Sequence, residues 1–199
     1  ASAMKQIAKS GKKILFVATK KQAKTVVADA AKKLAMPYIT ERWPGGLLTN
    51  FSTIRKSIKK MDGIDKMKTD GTFDTLSKRE RLQISRTREK LEINLGSIVK
   101  MNRMPAAIFI IDINKEHIAL KEAAKLGIRS FAVTDTNTNP ALVNYPIPGN
   151  DDASKSISHI VEVVTHAISE GLSERSAEQD KKALEKQKKA KKISEEAKK

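Results

Sequence analysis

Ile14 to Thr19 (ILFVAT) is a short apolar run rich in β-branched residues, the mark of a strand covered on both faces. After Lys20 and Lys21 the period changes. Ala23, Val26, Val27, Ala30, Ala31 and Leu34 fall on one face of a helix, which Met36-Pro37 ends. Tyr38 to Thr40 predicts a second strand, and Ala106 to Asp112 (AAIFIID) a third, again of the fully buried kind. A helix is expected from about Glu116 to Leu126, with Gly127 at its C-terminal cap. Ser130 to Thr134 predicts a fourth strand, and Tyr145 to Pro148 a short edge strand limited by its prolines. Asp151 or Asp152 is placed to cap a last helix, whose positions Ala153, Ile157, Ile160, Val161, Val164 and Ile168 keep helical phase. Strands alternating with amphipathic helices, and buried on both faces, predict a parallel doubly wound α/β sheet.

The 55 residues from 50 to 104 break this alternation. Phe51, Ile54, Ile58 and Met61 step by three and four, and Ile84, Leu91, Leu95 and Ile98 form a second seam. Thr49 or Asn50 can cap the first helix, and Ser77 with Glu80 reads as a capping box for the second. Between them, Asp62 to Leu76 carries Asp/Gly turns and no period, and is expected to connect the two. Two seams joined by a turn predict an antiparallel helical hairpin, a coiled coil inserted in the sheet domain. The expected organisation is a sheet domain over 1–49 and 105–171, a basic hairpin over 50–104, and a solvated charged tail over 172–199. The tail holds a Lys-rich run from Lys186 to Lys192 and almost no apolar residues.

Charge sharpens the picture. The chain carries +16 overall, but residues 1–49 hold +8, residues 50–104 hold +7, residues 105–171 hold −3 and residues 172–199 hold +4. One side of such a molecule should meet a polyanion while another turns away. The polar faces of the two expected helices hold Arg55, Lys56, Lys59 and Lys60, then Arg79, Arg81, Arg86, Arg88 and Lys90. They admit two readings, a solvated surface laced by ion pairs or a phosphate-contacting one. Fourteen bases against seven acids in this segment favour the second, because internal pairing cannot absorb them all. Lys20, Lys21 and Lys24 follow the first strand and join the same set of candidate RNA contacts.

Little chemistry of other kinds is on offer. With no cysteine and three histidines, thiolate metal sites, disulfides and a Cys nucleophile are excluded. The apolar runs are too short to cross a bilayer, no leader-like segment opens the sequence, and 4% aromatics cannot supply a base-stacking platform. A soluble intracellular protein is therefore expected. No dinucleotide fingerprint or lysine phosphate loop occurs. Asp112, Asp135 and Asp151 fall at strand ends, where they could hold Mg²⁺ for phosphoryl transfer with Lys20 as a phosphate partner, or simply cap turns and helices. His159 and His166 lie seven apart on the last helix without ligand partners and read as packing or surface residues. The loop Glu41 to Asn50 holds the only tryptophan: Trp43 reads as a plug or a contact residue, and Arg42 as a phosphate contact.

Four blocks carry a family likeness: GKKILFVATKKQA (11–23), ERWPGGLLTNFSTIRKSIKKM (41–61), FIIDINKEHIALKEAAKLGI (109–128) and FAVTDTNTNPALVNYPIPGNDDASKSI (131–157). In order and spacing they resemble the bacterial ribosomal protein S2 family of the small subunit, from about Gly11 to Gly171. The resemblance implies a flavodoxin-like sheet domain carrying a helical hairpin, no catalysis, no cofactor and no small-molecule substrate. It implies a cytoplasmic, ribosomal location without membrane contact. The implied partners are small-subunit rRNA and neighbouring ribosomal proteins, with a part in retaining ribosomal protein S1. Carried over by position, Arg42 and the glycines sit in the family loop, and Arg55, Lys56, Lys59, Lys60, Arg79, Arg86 and Arg88 on the family's basic arms. Family members ordinarily have a further N-terminal stretch with a strand and a Gly/His-bearing motif, so contacts made through it are expected to fall outside this sequence. Pro44 stands where many members carry an aliphatic residue and should stiffen the loop.

Overall fold

The computed structural model describes the backbone of residues 1–196 and the side chains of residues 1–179. Five strands, β1 (Ile14–Val17), β2 (Tyr38–Ile39), β3 (Ala107–Ile111), β4 (Arg129–Thr134) and β5 (Tyr145–Pro148), form one sheet in the order β2-β1-β3-β4-β5. Every pairing is parallel. That order is the flavodoxin-like arrangement, so the doubly wound sheet expected from the alternation is the fold of the chain.

The unbroken apolar runs follow from two covered faces. Ile14, Phe16, Phe109, Ile111, Phe131 and Val133 pack under α1 (Ser2–Lys9), α2 (Lys21–Lys33) and α6 (Ser154–Glu196). Leu15, Val17, Ile108, Ile110 and Ala132 face the other way, against α5 (His117–Lys125), Trp43, Leu47 and Leu48. Both sheet edges are closed to strand addition. At β5, Pro146 and Pro148 lack the N–H a further strand would need. At β2, the Tyr38 carbonyl accepts from the Ser97 hydroxyl.

The segment between β2 and β3 forms α3 (Phe51–Thr69) and α4 (Lys78–Leu95), with a short 3-10 turn at Thr72–Thr75. Their roots join the second core through Ile58, Leu95 and Ile98. Further out, the Arg88 guanidinium donates to both Asp65 oxygens, at 2.8 and 3.3 Å. The expected capping box is present: Ser77 accepts from the Glu80 amide, and the Glu80 carboxylate accepts from the Ser77 amide.

Three local expectations need correction. The stretch from Asp62 onward is not a bare connector, because α3 continues to Thr69. Buried Ile64 extends the seam three residues past Met61, and the Asp65–Arg88 pair ties the added turns to α4, which offsets the roughly 1 kcal/mol cost of Gly63 inside a helix. Asn50 occupies the α3 cap position but accepts the Thr53 and Ser52 hydroxyls instead of a backbone amide. Ahead of α6, Asn150 rather than an aspartate accepts the Asp152 and Ala153 amides, since Asp151 is turned toward a lysine.

α6 continues beyond Leu172 into the segment read as a charged tail. Lys5 pairs with Glu170 and Glu174, and Lys9 with Glu174 and Glu178, so α1 lies along the extended helix. Gly171 permits the approach: a Cβ there would stand 2.4 Å from the Lys5 carbonyl oxygen. The Lys186–Lys192 run lies outside the residues whose side chains are described.

Candidate nucleic-acid interface

The loop from Glu41 to Asn50 is shaped by one carboxylate. Glu122, on the buried face of α5, accepts from the Trp43 indole (3.1 Å) and from the amides of Gly46 (2.7 Å), Leu48 (2.9 Å) and Thr49 (3.1 Å). The Thr49 hydroxyl adds a fifth bond at 3.2 Å. Gly46, at φ 81°, turns the chain so that these amides converge. Burial alone would raise the Glu122 carboxyl, but the converging donors outweigh it and hold the group below its ordinary value. Sequence reasoning passed over Glu122; its one signal was a charge on the apolar face formed by Ala119, Leu120 and Ala123. The clamp buries Trp43 to 6% exposure, which decides for a plug and against a contact ring. Arg42, beside it, is left exposed with no ion pair among the described residues.

The candidate cations divide by what they already touch. Arg55 donates to the Asn102 carbonyl at 2.7 Å, and Lys24 pairs with Glu41 at 2.8 Å. Arg81 lies 3.9 Å from Asp74, and Arg88 is held by Asp65, whose carboxyl the guanidinium keeps below its ordinary value. Lys21, Lys56, Lys59, Lys60, Arg79 and Arg86 are exposed and make no ion pair among the described residues. Lys56, Lys59 and Lys60 share one face of α3 at three- and four-residue spacing, and Lys66 extends it. Lys66 was missed because the helix was expected to end earlier. The face is about 15 Å long at 1.5 Å per residue.

Lys20 belongs elsewhere. Its ammonium sits at the carboxyl ends of the strands, 2.8 Å from Asp151, 2.6 Å from Asp152 and 3.6 Å from Asp112. Burial works against its charge, yet the three carboxylates prevail and keep it protonated well above the ordinary lysine range. The crevice at the strand ends gathers acids: oxygens of Asp135, Asp151 and Asp152 lie within 4.8 Å of one another. Lys20 occupies one side of that group as its counter-ion, while Asp151, 1% exposed, keeps one oxygen without a hydrogen-bond partner. Nearby Glu116 accepts from the Thr19 hydroxyl and amide, and burial pushes its carboxyl up. His159 and His166 are exposed on α6, and His166 faces Glu170 at 3.2 Å. Lys20→Met should cost about 3 kcal/mol in a urea melt at neutral pH, because Asp151 would be left buried and unpaired. A loss under about 1 kcal/mol would show the cluster to be solvated instead.

No helix among the described residues is long and apolar enough to cross a membrane. The family described as "Ribosomal protein S2" matches residues 1–171. A "Small ribosomal subunit protein uS2" from Flavobacterium johnsoniae is 66% identical over 183 residues, covering 92% of this chain and 72% of that protein. The protein of the same name from Flavobacterium psychrophilum is 64% identical over 178 residues, covering 89% of this chain and 67% of its own length. That of Christiangramia forsetii is 65% identical over 176 residues, 88% of this chain and 59% of the relative. The chain thus spans between 59% and 72% of the length of these relatives.

Proposed function

The chain belongs to the ribosomal protein S2 family, and from that membership we propose that it is a structural component of the bacterial small ribosomal subunit, held there by rRNA and by neighbouring proteins. The family is structural rather than enzymatic, and the part of the chain in translation is architectural. The residues 50–104 act as the gripping element: exposed lysines on α3 neutralise phosphates and release counterions, while Arg42 adds a contact at the root. The sheet domain serves as the platform and meets protein neighbours, ribosomal protein S1 among them. The single observation that carries this reading is the Lys56, Lys59, Lys60 face, exposed and without internal ion pairs among the described residues. Lys20, Lys24, Arg55, Arg81, Arg88 and Trp43 carry less of the proposed contact, because each already has a partner in the fold.

Sedimentation through a sucrose gradient tests the proposal. The chain should travel with small subunits that lack this component at near-physiological salt, and leave them as salt rises. Sedimentation as a free protein at low salt would refute it.

A further inference from the structure

The two arms present unlike outer faces. On α3 the exposed side chains are mainly lysines, with Asp62 among them and Met67, 43% exposed, near the far end. On α4, Arg79, Leu82, Arg86, Lys90 and Ile93 succeed one another at steps of three, four, four and three, which sets them on one face. Leu82 is 53% exposed and Ile93 59%, the most exposed large aliphatics of the two arms. Arg79, Arg86 and Lys90 make no ion pair among the described residues, and Glu89 at the margin leaves the face with two cations in surplus. A shallow groove of about 370 Å³ runs between Arg79, Leu82, Arg86 and Lys90.

We propose that this face of α4 docks an acidic amphipathic segment of a neighbouring protein in the small subunit, while α3 faces RNA. The inference rests on the ribosomal placement proposed above. Phosphates call for cations, which Lys56, Lys59 and Lys60 supply on α3; Leu and Ile held in water gain only when an apolar partner covers them. Leu82 and Ile93 stand about 16 Å apart along the axis, three helical turns, which fits two apolar residues spaced alike on a partner helix. The flanking arginines offer the planar fork that pairs with carboxylates, which fixes the partner's charge as negative.

The test uses the full chain carrying the photo-crosslinker p-benzoylphenylalanine in place of Leu82, or in a second preparation in place of Lys59, assembled into small subunits. The Leu82 adduct should resist RNase and map to a protein peptide in which Asp or Glu flank apolar residues. The Lys59 adduct should be lost to RNase. An RNase-sensitive adduct at Leu82, a protein adduct lacking acidic residues, or no adduct there while Lys59 reacts would each overturn the interface. Failure of both chains to enter subunits would instead strike the ribosomal placement. In parallel, Leu82→Ser with Ile93→Ser, both at exposed positions, should lower subunit occupancy about tenfold at limiting protein, with the salt dependence unchanged. Full occupancy, or a flattened salt dependence, would contradict the proposal.

Discussion

Glu122→Ala is expected to lower the stability of the chain by about 3 kcal/mol, a fall of roughly 10 °C in melting temperature for a domain of this size. The carboxylate is 8% exposed and serves as acceptor for an indole, three backbone amides and a hydroxyl, so its removal strands donors that no nearby side chain replaces. Relief of the carboxylate's own burial offsets part of the cost. The damage should centre on the loop. Trp43 would lose its anchor, its fluorescence should shift toward that of a hydrated indole, and the roots of α3 and α4 would loosen with it. Glu122→Gln keeps the volume but replaces one acceptor by a donor, so it should fall between the wild type and Glu122→Ala. The pH dependence has a definite sign. A carboxyl held below its ordinary 4.5 contributes stability that is complete above that pH and fades as pH falls through the folded-state value. The gap between the wild type and Glu122→Gln should therefore be full at pH 7 and shrink below about pH 4.5. An equal gap at pH 7 and pH 3 would mean that the charge of Glu122 contributes nothing.

Charge reversal on α3 should have the largest functional effect. Lys56→Glu, Lys59→Glu and Lys60→Glu together change the charge by six without touching a buried side chain. The fold should survive, since none of the three makes an ion pair among the described residues. Affinity for small-subunit rRNA should drop at least about a hundredfold near physiological salt, as three phosphate contacts are lost and three repulsions replace them. Reversing Arg88 is a poorer test. Its guanidinium ties α4 to Asp65, so Arg88→Glu would confuse a lost contact with a loosened pair of helices. Arg55, bonded to the Asn102 carbonyl, carries the same ambiguity.

Much of the sheet was legible because ILFVAT and AAIFIID are short apolar runs rich in β-branched residues, which suit a strand walled on both sides. The periodic faces of α2, α5 and α6 were legible for a related reason, that burial selects residues at helical spacing. What escaped were features set by partners distant in sequence. Ile64 shows its place only once α4 lies beside α3, so the first arm was read two turns too short. Glu122 is 79 residues from Trp43, and its other partners are mostly backbone amides, which leave no mark in side-chain identity. Lys20 was counted with the phosphate-seeking cations because a sequence does not reveal that Asp112, Asp151 and Asp152 converge on it. Trp43 was balanced between plug and contact until the carboxylate behind it came into view. Among the candidate contacts, composition showed that the surplus existed; only the fold showed which cations were already spent.

The central claim is that the free lysines of α3 grip a folded polyphosphate. The most direct measurement is the slope of log affinity against log salt for small-subunit rRNA, compared between the wild type and the Lys56→Glu, Lys59→Glu, Lys60→Glu chain. The account predicts a slope shallower in the variant by about two to three, close to one unit for each lysine removed from a phosphate. Parallel slopes would contradict it, and would place those lysines in solvent or against protein.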